Sequence, residues 1–225
     1  MRRFRFFTND FDTSTSGFDV VISTTTESSF GTTVWNLAYN KTSTEVTDCN
    51  KAQSVSNCNK SSMIKNPAGE PTNTVDPQRI AQIEDTTPET RWNLSANHMM
   101  DSWRVLARVS FYDEWFDQFE CDVFGSTPVN ANGYKWCNAD VQANDNAYTF
   151  DSEFVVDLEV EYNFSESSSL LIGANNVFDN NGQKAADMHG LGFNTASAAV
   201  GNTYSVFAPM GFSGAFYYAN YRYNF

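Results

Sequence analysis

The side chains best suited to chemistry form a row of carboxylates in the second half of the chain. The row consists of Asp151, Glu153, Asp157, Glu159 and Glu161. Closely spaced carboxylates can supply a general acid and base or hold a cation. Residues of equal parity lie on one face of a β-strand, however, and a strand face that borders water is polar without any catalytic role. The row therefore predicts a hydrated face, with Arg104 and Arg108 of the preceding predicted strand as ion-pair partners.

The four cysteines fall into two pairs by position. Cys49 and Cys58 lie in one long polar segment, and Cys121 and Cys137 lie in the next. Neither spacing matches the C-x-x-C pairs of zinc sites, so the pattern predicts two local disulfides, one in each segment. Closing loops of roughly 10 to 20 residues stabilises a fold by about 3 kcal/mol in the chain-entropy treatment. Free thiols, or one metal site shared by all four cysteines, are the alternatives.

Other candidates for catalysis, metal binding or nucleic-acid binding are few. His98 and His189 are the only histidines, and neither belongs to a recognisable Ser-His-Asp or Cys-His arrangement. The stretch 179–182, Asp-Asn-Asn-Gly, is similar to a calcium loop but lacks the remaining ligands, so it predicts a strand-ending turn. A net charge of -13 with only 14 Lys and Arg argues against a nucleic-acid partner. The sequence predicts no enzyme, no catalytic residue, no metal and no cofactor.

The carboxylate row belongs to the clearest predicted element, a strand from Phe150 to Phe164. Its other parity is apolar and carries no charge, from Phe154 through Leu158 and Val160 to Phe164. Alternation with period two predicts a β-strand. Its length exceeds the roughly five or six residues usual in globular proteins, and a charge-free face of this length is typical of a membrane crossing.

Shorter alternations predict further strands, about eight in all when the pattern is counted along the chain. They lie near Phe4–Phe7, Phe18–Ile22, Trp35–Tyr39, Trp92–Ala96, Trp103–Phe111, Leu170–Ala174 and Ala215–Phe225. Short turns near 27–31, 99–102 and 165–169 alternate with long polar segments at about 47–90, 117–149 and 179–213. Bacterial barrels have short periplasmic turns and long extracellular loops. The sequence therefore predicts an all-β, antiparallel transmembrane β-barrel fold with a periplasmic C-terminus, and a small helix at 77–84 within the first loop.

The beginning of the chain does not have the pattern of a signal peptide. Arg2, Arg3 and Arg5 are followed by Thr8, Asn9 and Asp10 instead of an apolar stretch. No run of about 18 apolar residues occurs, so no transmembrane helix is predicted. An exported protein that starts in this way is expected to be a fragment, with Met1 as an internal start.

Three stretches carry a resemblance to a known family. The residues from Leu170 to Asp179, LLIGANNVFD, resemble the penultimate-strand motif of TonB-dependent outer-membrane receptors. Gly17-Phe18-Asp19 and the strand that begins soon after Pro88 resemble two further motifs of that family. The terminal residues Tyr221, Tyr223 and Phe225 resemble the signal by which the barrel-assembly machinery recognises its substrates.

The resemblance implies both a fold and a function. Residues 1–225 would form roughly the last eight strands of a 22-stranded barrel, without the plug domain. The intact receptor would take up a scarce ligand such as a ferric siderophore, cobalamin or an oligosaccharide across the outer membrane of a Gram-negative bacterium. Implied partners are outer-membrane lipid, the barrel-assembly machinery, the ligand, and the TonB complex through the missing N-terminal region. The three long loops would capture the ligand, although the resemblance assigns no single contact.

The aromatic side chains of the predicted strands have two interpretations. Nine aromatic residues could form either a sugar-stacking surface or girdles at the membrane interfaces, and the girdles explain most of them better. They are Trp35, Tyr39, Trp92, Trp103, Phe111, Tyr112, Tyr217, Tyr221 and Tyr223. Four aromatic residues of the loops are expected to be free to contact a ligand, namely Trp115, Phe116, Tyr134 and Trp136.

Two alternative folds remain open. One is a self-contained eight-stranded structural or adhesion barrel, and the other is a secreted carbohydrate-binding β-sandwich.

Overall fold

The computed structural model describes residues 11–49, 58, 75, 77–118, 147–184, 204, 205, 207–211 and 213–225. These residues form nine strands and one helix, which are, in chain order, β1 (Asp12–Ser28), β2 (Gly31–Asp48), α1 (Pro77–Glu84), β3 (Thr90–Met100), β4 (Trp103–Tyr112), β5 (Trp115–Gln118), β6 (Ala147–Phe150), β7 (Glu153–Ser165), β8 (Ser168–Asn175) and β9 (Phe216–Tyr223). No helix among them is long and apolar enough to span a membrane.

Seven strands form one sheet in the order β1-β2-β3-β4-β7-β8-β9, and β5 pairs with β6 in a small second sheet. All registered pairs from β2 to β9 are antiparallel. The prediction of an all-β antiparallel fold is therefore confirmed. β1 and β9 form the two edges of the sheet. The first expected strand, Phe4–Phe7, lies outside the described residues.

The connections alternate in length as predicted. Two-residue turns join β1 to β2, β3 to β4 and β7 to β8, while the connections from β2 to β3, β4 to β7 and β8 to β9 are long. Because neighbouring strands are antiparallel, all three short turns lie at one end of the sheet and all three long connections at the other. Helix α1 has the bounds expected from the sequence.

The prediction of a single strand from Phe150 to Phe164 is wrong at its start. β6 ends at Phe150, and β7 begins at Glu153. Phe150 is fully buried and stacks on Trp115 with ring centroids 5.2 Å apart, whereas Phe154 is half exposed on the large sheet. The two phenylalanines share a parity in the sequence but pack in different environments, and Asp151 lies in the bend between them. The backbone N–H of Asp151 donates to the side chain of Gln183 over 3.1 Å.

The large sheet has one apolar and one polar face because its alternating strands pair in register. The apolar face carries Leu37, Leu94, Val109 and Val156 in one row, since these residues are Cα partners across β2, β3, β4 and β7. No Asp, Glu, Lys or Arg occupies a paired position on this face from Thr33 to Tyr39 of β2 or along β3, β4, β7, β8 and β9. The other parity forms the polar face, which carries the acids of β7.

The apolar face is not covered by any described residue. Leu158, Val160 and Ile172 are 39%, 40% and 58% exposed, although each is a large aliphatic side chain. Among the described residues few apolar side chains are buried, and only Ala174 of these belongs to the paired rows of the apolar face. Single exposed apolar residues are ordinary, whereas a contiguous exposed patch is typical of a surface that contacts another protein or a membrane.

A second compact unit is formed by residues 1–16, 43–87 and 116–149. Among its described residues, Val46, Cys49, Val75 and Ile80 form a small buried core. A disulfide joins Cys49 to Cys58 with a Cα separation of 5.7 Å, which is one of the two pairs expected from the sequence. The backbone N–H of Val46 donates to Glu84 Oε1 over 2.8 Å and ties α1 to the end of β2. Cys121 and Cys137 lie outside the described residues.

The disulfide is expected to hold this small core together. The Cys49→Ala/Cys58→Ala variant should lower the local free energy of unfolding by about 2 to 4 kcal/mol, because the cross-link restricts the unfolded loop. Hydrogen exchange of the Asp85 amide, which donates to the Ala81 carbonyl over 2.9 Å, reports the opening of α1. Reductant should speed exchange in the wild-type chain and leave the variant unchanged. Equal exchange rates with and without reductant in the wild-type chain would contradict this role.

Candidate functional site

Three of the five acids predicted to face water, Asp157, Glu159 and Glu161, form ion pairs with the two arginines of β4. The other two do not: Asp151 lies outside β7, and Glu153 accepts a hydrogen bond from Asn180 Nδ2. Arg104 pairs with Glu161 and Arg108 with Asp157 in the β4–β7 register. Arg104 Nε lies 2.9 Å from Glu161 Oε2, and its Nη2 lies 3.0 Å from Glu159 Oε2. Arg108 Nη1 lies 3.5 Å from Asp157 Oδ2. These five residues, named here the charged ladder, confirm the expected cross-strand pairing.

The remaining carboxylate oxygens of the charged ladder are also occupied. Glu159 Oε1 accepts a hydrogen bond of 2.7 Å from the hydroxyl of Tyr218. Glu161 Oε1 accepts one of 3.0 Å from Ser169, and Asp157 Oδ1 accepts the backbone N–H of Asn176 over 2.9 Å. Each of these carboxylates thus has a protein partner on both oxygens, which holds it in place between neighbouring strands. The ladder is therefore a structural network.

Tyr218 reaches Glu159 across the intervening strand because residue 173 is a glycine. In the registers, Gly173 of β8 pairs with Glu159 on one side and with Tyr218 on the other. A Cβ atom at position 173 would overlap the ring of Tyr218. The missing side chain thus lets the ring lie flat over β8, and the glycine of the LLIGANNVFD segment has a packing role.

The end of that segment forms a hydrogen-bonded turn. Asn176 and Asp179 have φ values of 51° and 56°, in the left-handed region that Asn and Asp tolerate better than most residues. Asn176 Oδ1 accepts the backbone N–H of Asn180 over 2.9 Å, and its Nδ2 donates to the Asn180 carbonyl over 2.6 Å. Asp179 Oδ1 accepts the backbone N–H of Ala215. The expectation of turn chemistry is confirmed. Within the described residues, no group of three His, Cys, Asp or Glu is placed to hold a metal ion.

Aromatic side chains gather at two levels of the apolar face. At the end with the long connections, Trp92, Phe111 and Phe154 form one cluster, with centroids 5.5 Å apart for Trp92–Phe111 and 4.9 Å for Phe111–Phe154. At the end with the short turns, Trp103 and Tyr162 lie 4.6 Å apart. Trp103 and Phe111 are eight residue steps apart on β4, or about 26 Å at about 3.3 Å per residue. Aliphatic residues fill the interval, so the face has the layered pattern of a membrane girdle.

Two expectations for aromatic residues are wrong. Tyr112 was expected in a girdle, but it has the parity of Arg108 and lies on the polar face. Trp115 was expected to be free for a ligand, but it is 1% exposed because its ring stacks on Phe150. Phe116 is half-buried. Tyr134 and Trp136 lie outside the described residues.

The remaining predicted residues occupy separate places. Tyr221 and Tyr223 lie on the apolar face of β9, 62% and 53% exposed, and Phe225 is fully exposed beyond the strand. Their role in barrel assembly stays a prediction. His98 Nδ1 lies 2.8 Å from Thr33 Oγ1, and this hydrogen bond satisfies the histidine within the sheet. His189 lies outside the described residues.

The polar face also contains a groove that the sequence did not suggest. It has a volume of about 360 Å³, and its polar lining comes from Asp19, Asn40, Arg91, Asn93, Ser110 and Tyr112. Asn40, Arg91 and Tyr112 form one row across β2, β3 and β4, and Asn93 and Ser110 lie in the next. The alternation of side chains along a strand predicts that each of these residues lies on the polar face. Only the pairing of the strands shows that they are neighbours on that face.

Comparison with known proteins gives structural similarity alone, since no family model and no curated protein matches the chain. Three similar solved structures are the FpvAI–pyocin S2 complex, the ferripyoverdine receptor of the outer membrane of Pseudomonas aeruginosa bound to ferripyoverdine, and P. aeruginosa FpvA bound to heterologous pyoverdines. Sequence identities are 13%, 13% and 14%, each with a TM-score of 0.41. Each match covers 76% of this chain and only 16% of the other chain. These values do not assign the chain to a family.

The charged ladder gives a prediction for stability. Arg104→Gln should lower the free energy of unfolding by about 1.5 to 3 kcal/mol, because it leaves two partly buried carboxylates without their shared cation. The matched control is Arg108→Gln, since Arg108 is 46% exposed and makes a single pair at 3.5 Å. That change should cost less than about 1 kcal/mol. Urea unfolding measures both. If both variants lose the same free energy of unfolding, Arg104 is not the main stabilising cation of the charged ladder.

Proposed function

We propose that this chain is part of the β-barrel of a TonB-dependent outer-membrane receptor that takes up a scarce ligand. The observation that carries the proposal is the exposed apolar face of the large sheet, free of charge over its paired positions and backed by a face of charged residues. In an outer-membrane barrel the apolar face contacts lipid, and the polar face borders a hydrated lumen.

Strand length supports a membrane crossing. β3 has 11 residues, β4 has 10 and β7 has 13, while a tilted barrel strand needs about 9 to 11 residues to cross the hydrocarbon layer. The first charge beyond the apolar rows of β2 is Lys41, which follows Tyr39 at the end with the long connections. A lysine just outside an aromatic level suits the lipid headgroup region.

The edges of the sheet support a larger barrel than the seven strands could form alone. Among the described strands, β1 and β9 each have a neighbour on one side only, and a row of unpaired backbone N–H and C=O groups is not tolerated in lipid. Further strands would therefore pair with both edges. The polar face also favours a wide lumen over a small self-contained barrel, since a small barrel fills its interior with side chains and would have to bury the charged ladder.

The receptor class is supported by the sequence motifs, together with the structure of one of them. The segment from Leu170 to Asp179 resembles the receptor motif, and its glycine and its Asn and Asp residues each make a contact that fixes β7, β8 and β9. Under this proposal the long connections are extracellular and the C-terminal residues address the chain to the barrel-assembly machinery. The TonB complex would act through a region outside these strands, on a ferric siderophore, cobalamin or an oligosaccharide.

The membrane location is tested by a charge placed on each face. Val160→Arg puts a cation on the aliphatic part of the apolar face, where it should destabilise the inserted state by about 2 to 4 kcal/mol. The control, Leu106→Arg, puts the same cation on the polar face opposite Glu159 and should insert normally. Co-flotation of the full-length protein with lipid vesicles measures insertion. Equal insertion of the two variants would refute a lipid-facing surface.

The transport role is tested separately in the producing bacterium. Deleting the gene should abolish growth on the imported ligand when it is limiting, and deleting TonB should have the same effect because the energy for uptake comes from that complex. Growth is compared under iron limitation, under cobalamin limitation and with an oligosaccharide as the carbon source. Restoration by the intact gene is the control. If the deletion strain grows like the wild type under all three conditions, the proposed uptake function is contradicted, while the proposed membrane location is not.

A further inference from the structure

The groove on the polar face has opposite charges at its two ends. Asp19 of β1 is the acidic end and Arg91 of β3 the basic end, with Asn40 of β2 between them. Neighbouring strands are about 4.8 Å apart, so the two charged residues are separated by about 10 Å. No ion pair within the described part of the chain joins them or engages Arg91 with another acid.

An unmatched acceptor lies beside the acidic end. The Asn40 amide Nδ2 donates to Asp19 Oδ1 over 2.8 Å and to Thr42 Oγ1 over 3.1 Å. Its Oδ1 atom is buried and has no hydrogen-bond partner among the described residues. Asp19 itself is exposed, and its Oδ2 atom has no hydrogen-bond partner among the described residues. The acidic end of the groove therefore favours a ligand that carries a positively charged hydrogen-bond donor.

The basic end has the opposite preference. Arg91 has a planar guanidinium group that binds a carboxylate through two parallel hydrogen bonds. Asn93 and Ser110 lie in the adjacent row and can donate to the same anion. Short side chains in this row, together with Ala38 on β2, leave the space between the charged ends open.

From these contacts we propose that the groove binds a small zwitterion, namely a free α-amino acid. Its carboxylate is bound by Arg91, and its ammonium group donates to Asp19. With a hydrogen bond at each end, an α-amino acid spans roughly the 10 Å between the backbones of β1 and β3, and the long side chain of Arg91 can adjust to its carboxylate. The volume of about 360 Å³ is sufficient for a molecule of this size. The inference goes beyond the proposed receptor function, since binding in the groove is measurable whether or not the protein transports a ligand.

Three related probes that carry different charged groups test the site. Equilibrium dialysis of the full-length protein with radiolabelled L-alanine measures binding, and N-acetyl-L-alanine and L-alaninamide serve as competitors. The first competitor lacks the ammonium group, and the second lacks the carboxylate. Each should compete about tenfold or more weakly than unlabelled L-alanine, because each loses a charge-assisted interaction.

Two variants and one control separate the charged ends. Arg91→Gln and Asp19→Asn should each weaken L-alanine binding about tenfold or more. Arg222→Gln removes a cation from the same face outside the groove lining and should leave binding unchanged. Circular dichroism of each variant checks that the sheet is intact. The proposal is overturned if L-alanine does not bind, if the three probes bind equally, or if correctly folded Arg91→Gln and Asp19→Asn proteins bind as the wild type does.

Discussion

The structure depends on one constraint: between Thr33 and Tyr39 of β2, and along the paired positions of the following strands of the large sheet, every Asp, Glu, Lys and Arg lies on the same side. Alternation along a strand assigns each side chain to a face, and a one-residue slip of any strand would move its charges to the opposite face. The antiparallel registers from β2 to β9 keep the parities aligned over six strands. This constraint produces the exposed apolar face, and the membrane location proposed for the protein follows from that face.

The charged ladder fixes the register between β4 and β7. These strands are joined by a long connection, so no tight turn sets their register. Arg104 bridges two acids of β7, and those acids also accept hydrogen bonds from Tyr218 and Ser169. The network joins β4, β7, β8 and β9 on the polar face, where a slip would separate every pair at once. The close spacing of these carboxylates in the sequence suggests a catalytic cluster, but in the structure they hold the strands in position.

The groove lies on the same face but differs from the ladder in its hydrogen bonding. In the ladder each carboxylate has partners for both oxygens. Among the described residues, the groove instead contains an Asn40 acceptor without a donor and an Arg91 guanidinium without an acid. Saturated charges stabilise a fold, while unsaturated polar groups around a cavity can select a ligand. The contrast separates the structural part of the polar face from the part assigned here to binding.

The sequence by itself determined the strands, their faces and the alternation of short and long connections, because period two and turn residues are local properties. It also indicated that Arg104 and Arg108 face the row of acids on the next long strand, and it gave the local pair Cys49–Cys58. Only the register showed which acid each arginine meets. Only the tertiary structure decided the break after Phe150, because burial against Trp115 depends on a residue 35 positions away (150 − 115). The groove likewise required the register, since Asp19, Asn40, Arg91 and Ser110 come from four strands and no pattern along the chain relates them. Contacts between distant strands are set by the packing of the whole sheet, and a single sequence does not encode that packing in any one segment.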